Sequence, residues 1–260
     1  MLLGIFMAKT IALHLQKGGV GKTTISGTLA CQSALDGYST ILIDVDPQGN
    51  ASSWFLKNKT PKFEFADVIQ GKCYINDAIV PVASVDNLFI LPTFGIDGGL
   101  KNYSETKLAE EPFVIQDAVN EIKKEFQHII LDLSPGLGRL ERAALIASDE
   151  VITPMTPEIF SLDGLEIFID ELSKIKKNFR SNIEHSKIII NSYDERIRQH
   201  RDIYKEACKG NFQIYRIPVD PCFRKAQEFS TAPQLFKQRG RGLKPKTLEA
   251  INELENTIWR

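Results

Sequence analysis

The chain has 260 residues, 43% of them apolar and 25% charged, which is ordinary for a globular protein and enough to bury a sizeable core. A net charge of −1 excludes a uniformly basic or acidic chain and by itself indicates no partner. The four cysteines, Cys31, Cys73, Cys208 and Cys222, form no Cys-x-x-Cys pair, which argues against a disulfide framework or zinc site and for reduced thiols.

The opening residues, Met1 to Met7, are apolar but lack a basic leader and are too few for a signal sequence or membrane span. They read as a disordered or alternative-start leader, with Met7 as a second candidate start. A strand is expected over 10–16, leading into Gln16-Lys17-Gly18-Gly19-Val20-Gly21-Lys22-Thr23-Thr24 and then a helix over 23–35 stopped by Gly37. Glycines at 18, 19 and 21 let successive backbone N–H groups point inward at one phosphate. Lys22 adds a positive charge, and Thr23 offers a hydroxyl to a magnesium ion. The usual phosphate-loop pattern starts with glycine where this chain has Gln16, and Lys17 adds a second lysine at the loop entrance.

The next strand, expected over 40–43, runs into Asp44-Val45-Asp46-Pro47. In an open parallel sheet the carboxyl ends of strands line the ligand crevice, which places both acids beside the phosphate loop. An acid there can orient water for attack on a γ-phosphate or help hold magnesium. The two are expected to point to opposite faces, so that one dominates. Residues 52–111, broken by Pro61, Gly71, Pro81, Pro92 and Gly95 to Gly99, read as an elaboration of the same domain with one strand at 87–91.

A helix is expected over 113–126 and a strand over 128–133. The run His128-Ile129-Ile130-Leu131-Asp132 fits a Walker B element holding magnesium through a water, and Pro135-Gly136 suggests a mobile loop that reports the γ-phosphate. Further strands are expected over 150–153, 187–190 and 213–217. A helix over 162–178, capped by Ser161, carries the apolar stripe Leu165, Phe168, Ile169, Leu172, Ile175 and Phe179. Strand alternating with helix predicts an α/β fold: a single doubly wound, mostly parallel sheet with helices on both faces, in one domain spanning 1–260.

Charge is unevenly spread. From Lys174 to Lys246 there are 18 Lys and Arg against 7 Asp and Glu, an asymmetry of the kind that suggests a nucleic-acid or membrane face. Arg196, Arg198, Arg201, Lys205 and Lys209 fall on and around one predicted helix. Arg224 and Lys225 follow Ile217-Pro218, and Lys237, Arg239, Arg241, Lys244 and Lys246 precede the last helix. That helix places Leu248, Ile251, Leu254 and Ile258 at helical spacing, with Glu249, Glu253 and Glu255 on its polar side. An acidic face is wrong for anionic lipid, so the helix is expected to pack on the core and no membrane role is expected. A merely solvated basic face is the alternative to a binding surface.

The phosphate loop with Lys17, the run Asp44 to Asn50, the Asp132 loop and the segment Val151 to Leu165 together resemble the ParA/Soj partition ATPases, deviant Walker A proteins related to MinD. The likeness covers nearly the whole chain. It implies ATP and Mg2+ held by Lys17, Gly18, Gly19, Val20, Gly21, Lys22, Thr23 and Thr24, with Lys22 on the β- and γ-phosphates and Thr24 on the α-phosphate. Lys17 would reach the partner's nucleotide across an ATP-bridged homodimer. Asp46 would position the attacking water, Asp44 would support the magnesium shell, and Thr23 and Asp132 would bind it. Asn191 matches a position where relatives read adenine, and Pro218 joins the candidate nucleotide contacts.

The resemblance further implies a slow ATPase, stimulated by a ParB-like partner, whose dimer binds non-specific DNA in the cytoplasm on the nucleoid and moves a plasmid, chromosome or other cargo. Arg196, Arg198, Arg201, Arg224 and Lys225 are the DNA-contact candidates. Two departures stand out: Val219 to Ala226 replaces the family's Arg-Asn-Val-Arg-Leu-Ser-Glu-Ala, and Leu133-Ser134-Pro135-Gly136 replaces its Thr-Pro-Pro. Competing functions are an iron–sulfur or nitrogenase-reductase relative, disfavoured by the cysteines, and a ligase resembling dethiobiotin synthetase, a class that usually lacks Lys17. With no DNA-binding segment ahead of the loop, sequence-specific autoregulation is not expected.

Overall fold

The structure, a computed structural model, describes residues 8–57, 59–237 and 242–259, without the side chains of residues 159 and 160. The expected leader and the basic residues Arg239 and Arg241 lie outside the described residues.

In chain order the elements are β1 (Lys9–Leu13), α1 (Lys22–Leu35), β2 (Thr40–Asp44), α2 (Asn50–Leu56), α3 (Phe65–Ile69), α4 (Ile75–Ala78), β3 (Val80–Pro81) and β4 (Leu88–Leu91). There follow α5 (Leu100–Thr106), α6 (Val114–Ile122), β5 (His128–Asp132), α7 (Arg139–Ile146), β6 (Glu150–Met155) and α8 (Ile159–Phe179). The chain closes with β7 (Glu184–Tyr193), α9 (Arg198–Ala207), β8 (Gln213–Pro218), α10 (Cys222–Glu228) and α11 (Pro245–Ile258).

The strands form one sheet in the order β3-β4-β2-β5-β1-β6-β7-β8. Every pairing is parallel except that of β3 with β4. Both faces are covered, which is why the central strands are continuous apolar runs. Along β2, Ile41 and Ile43 enter one core with α3 to α8, while Leu42 enters the other with α1, α2 and α11. β5 divides likewise, Ile129 and Leu131 against Ile130.

The sheet has the expected strands, plus the two-residue β3. Residues 52–111 supply β3 and β4 to its edge. Their loops are organised by Glu64, buried at 3% exposure, whose carboxylate accepts hydrogen bonds from Phe94 N at 2.6 Å and Gly99 N at 2.5 Å. The helix expected from 162 starts earlier, at Ile159, because extended Glu158 (φ −124°) stands at its cap and Ser161 N already donates to Glu158 O. Ser161 therefore lies inside the first turn. In α11, Ile251, Leu254 and Ile258 are buried as expected, while Leu248 remains 38% exposed. No helix among the described residues is long and apolar enough to cross a membrane.

Candidate functional site

The sheet order sets β1 beside β5 and β5 beside β2, so the loop after β1 and the acids ending β2 and β5 share one end of the sheet. Between β1 and α1, Gly19 (φ 74°) and Gly21 (φ 92°) adopt left-handed backbone that a side chain resists. Gly21 has a second constraint: a Cβ there would lie 2.3 Å from Asn191 Nδ2. Val20 is fully buried and anchors the loop, while Gln16, Gly18 and Gly19 are exposed. The resulting rim turns backbone N–H groups and the amino end of α1 toward one point, a ready anion site.

Lys22 is buried, and its Nζ donates to Lys17 O at 2.9 Å and Leu15 O at 3.3 Å across the loop. Burial depresses its pKa; Asp132, Asp46 and Glu141 push it back up. One buried lysine thus faces several carboxylates.

Asp44 and Asp132 are register partners at the ends of β2 and β5, both fully buried. Burial raises the pKa of each, and the charge of Asp132 raises Asp44 further. Both oxygens of Asp44 have partners. Its Oδ2 accepts from Ser52 N at 2.8 Å and Ser52 Oγ at 2.7 Å, and its Oδ1 accepts from Asp46 N at 3.2 Å. Asp132 differs: Oδ1 accepts from Ser26 Oγ at 2.9 Å, whereas Oδ2 is buried with no partner among the described residues.

That orphaned oxygen, on a carboxyl that the Thr23 hydroxyl also approaches and with Asp44 and Asp46 close by, suits a divalent cation. Among the described residues no cluster of three or more His, Cys, Asp or Glu could hold a metal unaided. Magnesium at phosphate sites takes one or two protein ligands plus phosphate and water, so the donor set fits it. Thr23 and Asp132 are the ligands this geometry offers. Asp44 accepts three hydrogen bonds from Ser52 and Asp46 and, as the register partner of Asp132, stands beside that site in a supporting position.

Asp46 lies beyond the strand. The expected contrast of opposite faces fails, because alternate residues of a strand share a face. What separates the two acids is that β2 ends at Asp44, and the chain turns so that Asp46 Oδ1 accepts from Gln48 N at 2.9 Å. Its Oδ2 makes no hydrogen bond among the described residues. Burial raises its pKa, and Lys22 opposes the shift.

Several contributors carried no signal in the sequence. Glu141 of α7, 6% exposed, accepts from Gly138 N at 2.7 Å and from the Ser134 hydroxyl, closing the loop after Asp132. It replaces nothing recognisable as a motif; only its spacing from Gly138, a capping arrangement, was there to be read. His14, fully buried beneath the loop, packs its ring 5.0 Å from that of Phe168, and burial lowers its pKa to about 3.

The remaining expected residues fall in two places. Lys17 Nζ donates to Glu158 Oε2 at 2.6 Å, Ser161 Oγ at 3.0 Å and Thr156 Oγ1 at 3.5 Å, so within this chain it is engaged by the turn before α8. Asn191 ends the buried part of β7; its Nδ2 donates to Val20 O at 2.9 Å and its Oδ1 accepts from Ser192 N, so its amide braces the phosphate loop. Pro218 closes β8 opposite Tyr193.

The basic candidates converge. Arg196, Arg198 and Arg201 lie after β7, and Arg224 and Lys225 lie on α10 after β8. The Lys246–Glu195 pair at 3.4 Å and the Lys244 Nζ bond to Val219 O at 2.8 Å bring the start of α11 to both groups. Arg196, 86% exposed, is bound in a fork by Asp194, and Arg224, 87% exposed, pairs with Glu228.

Residues 8–185 match the AAA domain family. The chain is 30% identical over 200 residues to the chromosome-partitioning ATPase Soj of Treponema pallidum, covering 77% of this chain and 78% of that one. It is also 30% identical over 241 residues to the sporulation initiation inhibitor protein Soj of Bacillus subtilis, covering 91% and 94%. Among solved structures, the ATP complex of a McdA variant from Cyanothece superposes with a TM-score of 0.85 at 17% identity, covering 97% of this chain and 96% of that one.

Proposed function

This chain belongs to the AAA domain family and, within it, to the Soj/ParA partition ATPases, and on that footing we propose that it is a Mg2+-dependent ATPase whose ATP-bridged homodimer holds non-specific DNA. The observation that supports this reading best is the meeting of Lys22, Thr23 and Thr24 on one loop with Asp46 and the half-satisfied Asp132.

The loop N–H groups and Lys22 bind the β- and γ-phosphates, Lys22 exchanging its carbonyl partners for phosphate oxygens. Thr24 bonds the α-phosphate. Asp46, through Oδ2, accepts a hydrogen bond from a water in line with the γ-phosphorus. As the water oxygen bonds phosphorus, the bond to the β-phosphate oxygen breaks, ADP leaves with that electron pair, and the water's proton passes toward Asp46. Thr23 and Asp132, with Asp44 supporting the shell, would hold Mg2+, which would supply positive charge to the phosphates. Lys17 supplies positive charge to the partner's nucleotide, in the manner of a finger in trans, so phosphate loss weakens the dimer.

Arg196, Arg198, Arg201, Arg224 and Lys225 contact DNA phosphates. Asp202 and Glu228 are exposed and hold Arg198 and Arg224 weakly, so closely spaced phosphates displace them, whereas at Arg196 phosphate has to compete with the Asp194 fork. A ParB-like protein stimulates hydrolysis and links the cycle to a cargo. Residues 1–260 act as one domain, cytoplasmic and on the nucleoid.

The test is retention on random-sequence DNA with ATP, ADP or no nucleotide, at two salt concentrations. Retention that needs ATP, falls with salt and is lost in Arg196→Ala/Arg224→Ala supports the reading. Indifference to DNA in every nucleotide state removes it and leaves a solvated basic face. Lys17→Ala checks the bridge: an undiminished ATP-dependent dimer on gel filtration would sink the trans role.

A further inference from the structure

Two side-chain hydrogen bonds fasten the segment after β8 to the first turns of α1, and a third fastens it to α2. Gln227 Nε2 of α10 donates to Thr24 Oγ1 at 3.0 Å, Gln234 Nε2 donates to Thr28 O at 2.9 Å, and Trp54 Nε1 donates to Thr231 O at 3.1 Å. Trp54, on α2, packs against α1 at Gly27, where a Cβ would come within 2.3 Å of its ring. Cys222 and Ala226 bury the inner side of α10, while Arg224 and Lys225 face outward.

Of the three bonds, the one at Thr24 reaches a residue of the phosphate loop. A threonine hydroxyl has one proton and two lone pairs. Because the Gln227 amide donates, Thr24 accepts there, and its own proton remains available to an anionic oxygen. A nucleotide phosphate that takes this proton makes the hydroxyl oxygen a better acceptor, since hydrogen bonds in series polarise one another. The Gln227 bond and the phosphate bond therefore reinforce each other, and α10 is held more firmly when nucleotide is bound.

We propose that Gln227 ties α10 to the phosphate loop and carries nucleotide occupancy, within one subunit, to Arg224 and Lys225. This rests on the reading above that the loop binds nucleotide and α10 meets DNA. It adds an intrasubunit route that acts before dimerisation. Gln227 is a positioning residue. Linkage is reciprocal: DNA held by α10 tightens nucleotide binding by the same factor that nucleotide tightens DNA binding.

The experiment is amide hydrogen exchange of residues 222–229 in the full chain, with and without Mg2+ and ADP, for the wild type and for Gln227→Leu. Gln227→Met, of similar length and without a donor, serves if the leucine variant does not fold. ADP keeps the protein out of the ATP-bridged dimer. In the wild type, ADP slows exchange in α10 by about fivefold, the worth of one hydrogen bond. In the variant, ADP still slows exchange in the loop and α1 but no longer in α10.

A purely structural Gln227 would loosen α10 equally in both states and leave the ADP response intact; that result overturns the proposal. So does a wild-type α10 that ignores ADP. DNA retention measured in parallel separates the two readings. If exchange in α10 follows ADP through Gln227 while DNA is never retained, the coupling stands and the DNA assignment falls.

Discussion

Lys17 meets Glu158 at 2.6 Å, and through that contact the loop-entrance lysine is held to the turn that starts α8. The bond holds the Glu158 carboxyl below the usual carboxylate range. The same lysine is proposed to serve a second subunit, so the two uses compete. Glu158→Gln removes the ionic half of the competition. ATP-dependent dimers of this variant should form at a few-fold lower protein concentration, measured by gel filtration or light scattering over a dilution series. A variant that dimerises less readily would mean that Glu158 itself works across the interface.

Asp132 is the carboxylate with an unspent oxygen. Asp132→Asn keeps an acceptor for Ser26 and removes a buried charge beside Asp44. Nucleotide affinity should then lose its dependence on Mg2+, read from titrations with Mg2+ and with EDTA. The stability of the protein without nucleotide also has a defined pH dependence. Burial raises the folded-state pKa of both acids, so their contribution is fully present below the ordinary value near pH 4 and is lost as pH rises toward about 8, the value for Asp44. Below about pH 6.5 the depressed pKa values of His14, His128 and His185 act in the opposite direction, so urea midpoints should fall between about pH 6.5 and about pH 8, each shifted unit being worth about 1.4 kcal/mol. Asp132→Asn should flatten that fall. A wild type whose midpoint does not change from about pH 6.5 to about pH 8 would contradict the buried-charge account.

Asp46→Ala should keep nucleotide affinity within a few-fold and lower single-turnover phosphate release by about 10² to 10⁴, the usual contribution of a positioned proton acceptor. The dimer should then persist in ATP. Turnover at the wild-type rate would remove Asp46 from the reaction.

Gly21 and Gly18 offer a paired comparison. Gly21→Ala meets both the φ of 92° and the approach of Asn191, whereas a Cβ at Gly18 would have nothing within 4 Å. The first should cost about 1–3 kcal/mol, several degrees in Tm for a chain of this size, and nucleotide binding with it. The second should leave Tm nearly unchanged. A cost confined to the lower end of that range would mean that Asn191 yields, whereas equal melting temperatures would contradict the backbone strain as well.

Much of this arrangement is legible in the sequence because buried parallel strands are short apolar runs, and the acids at their ends, Asp44 and Asp132, break those runs abruptly. The glycines and lysines of the loop are legible for the same local reason. What the sequence hides depends on contacts between distant segments. The two hydrogen bonds from Ser52 to Asp44 require α2, a seven-residue helix too short to show a period. The bond from Gln227 to Thr24 joins residues 203 positions apart. Glu141 reads as an ordinary polar residue of a surface helix until α7 is seen burying it against the Ser134 hydroxyl and Gly138 N. Helix starts shift for a smaller reason: Ser161 has the chemistry of a cap, but Glu158 takes the position first.

The two rims of the sheet also bear on how copies of the chain can meet. At one rim β3 is two residues long and contains Pro81, which has no N–H to offer. At the other, β8 carries exposed Gln213 and Arg216 and ends at Pro218. Short strands, proline and an outward charge are how proteins keep sheets from recruiting further strands. Self-association by extension of the sheet is therefore discouraged at both rims, and a second copy is left to meet this one through side chains and loops, where a bound ligand can decide whether the contact forms.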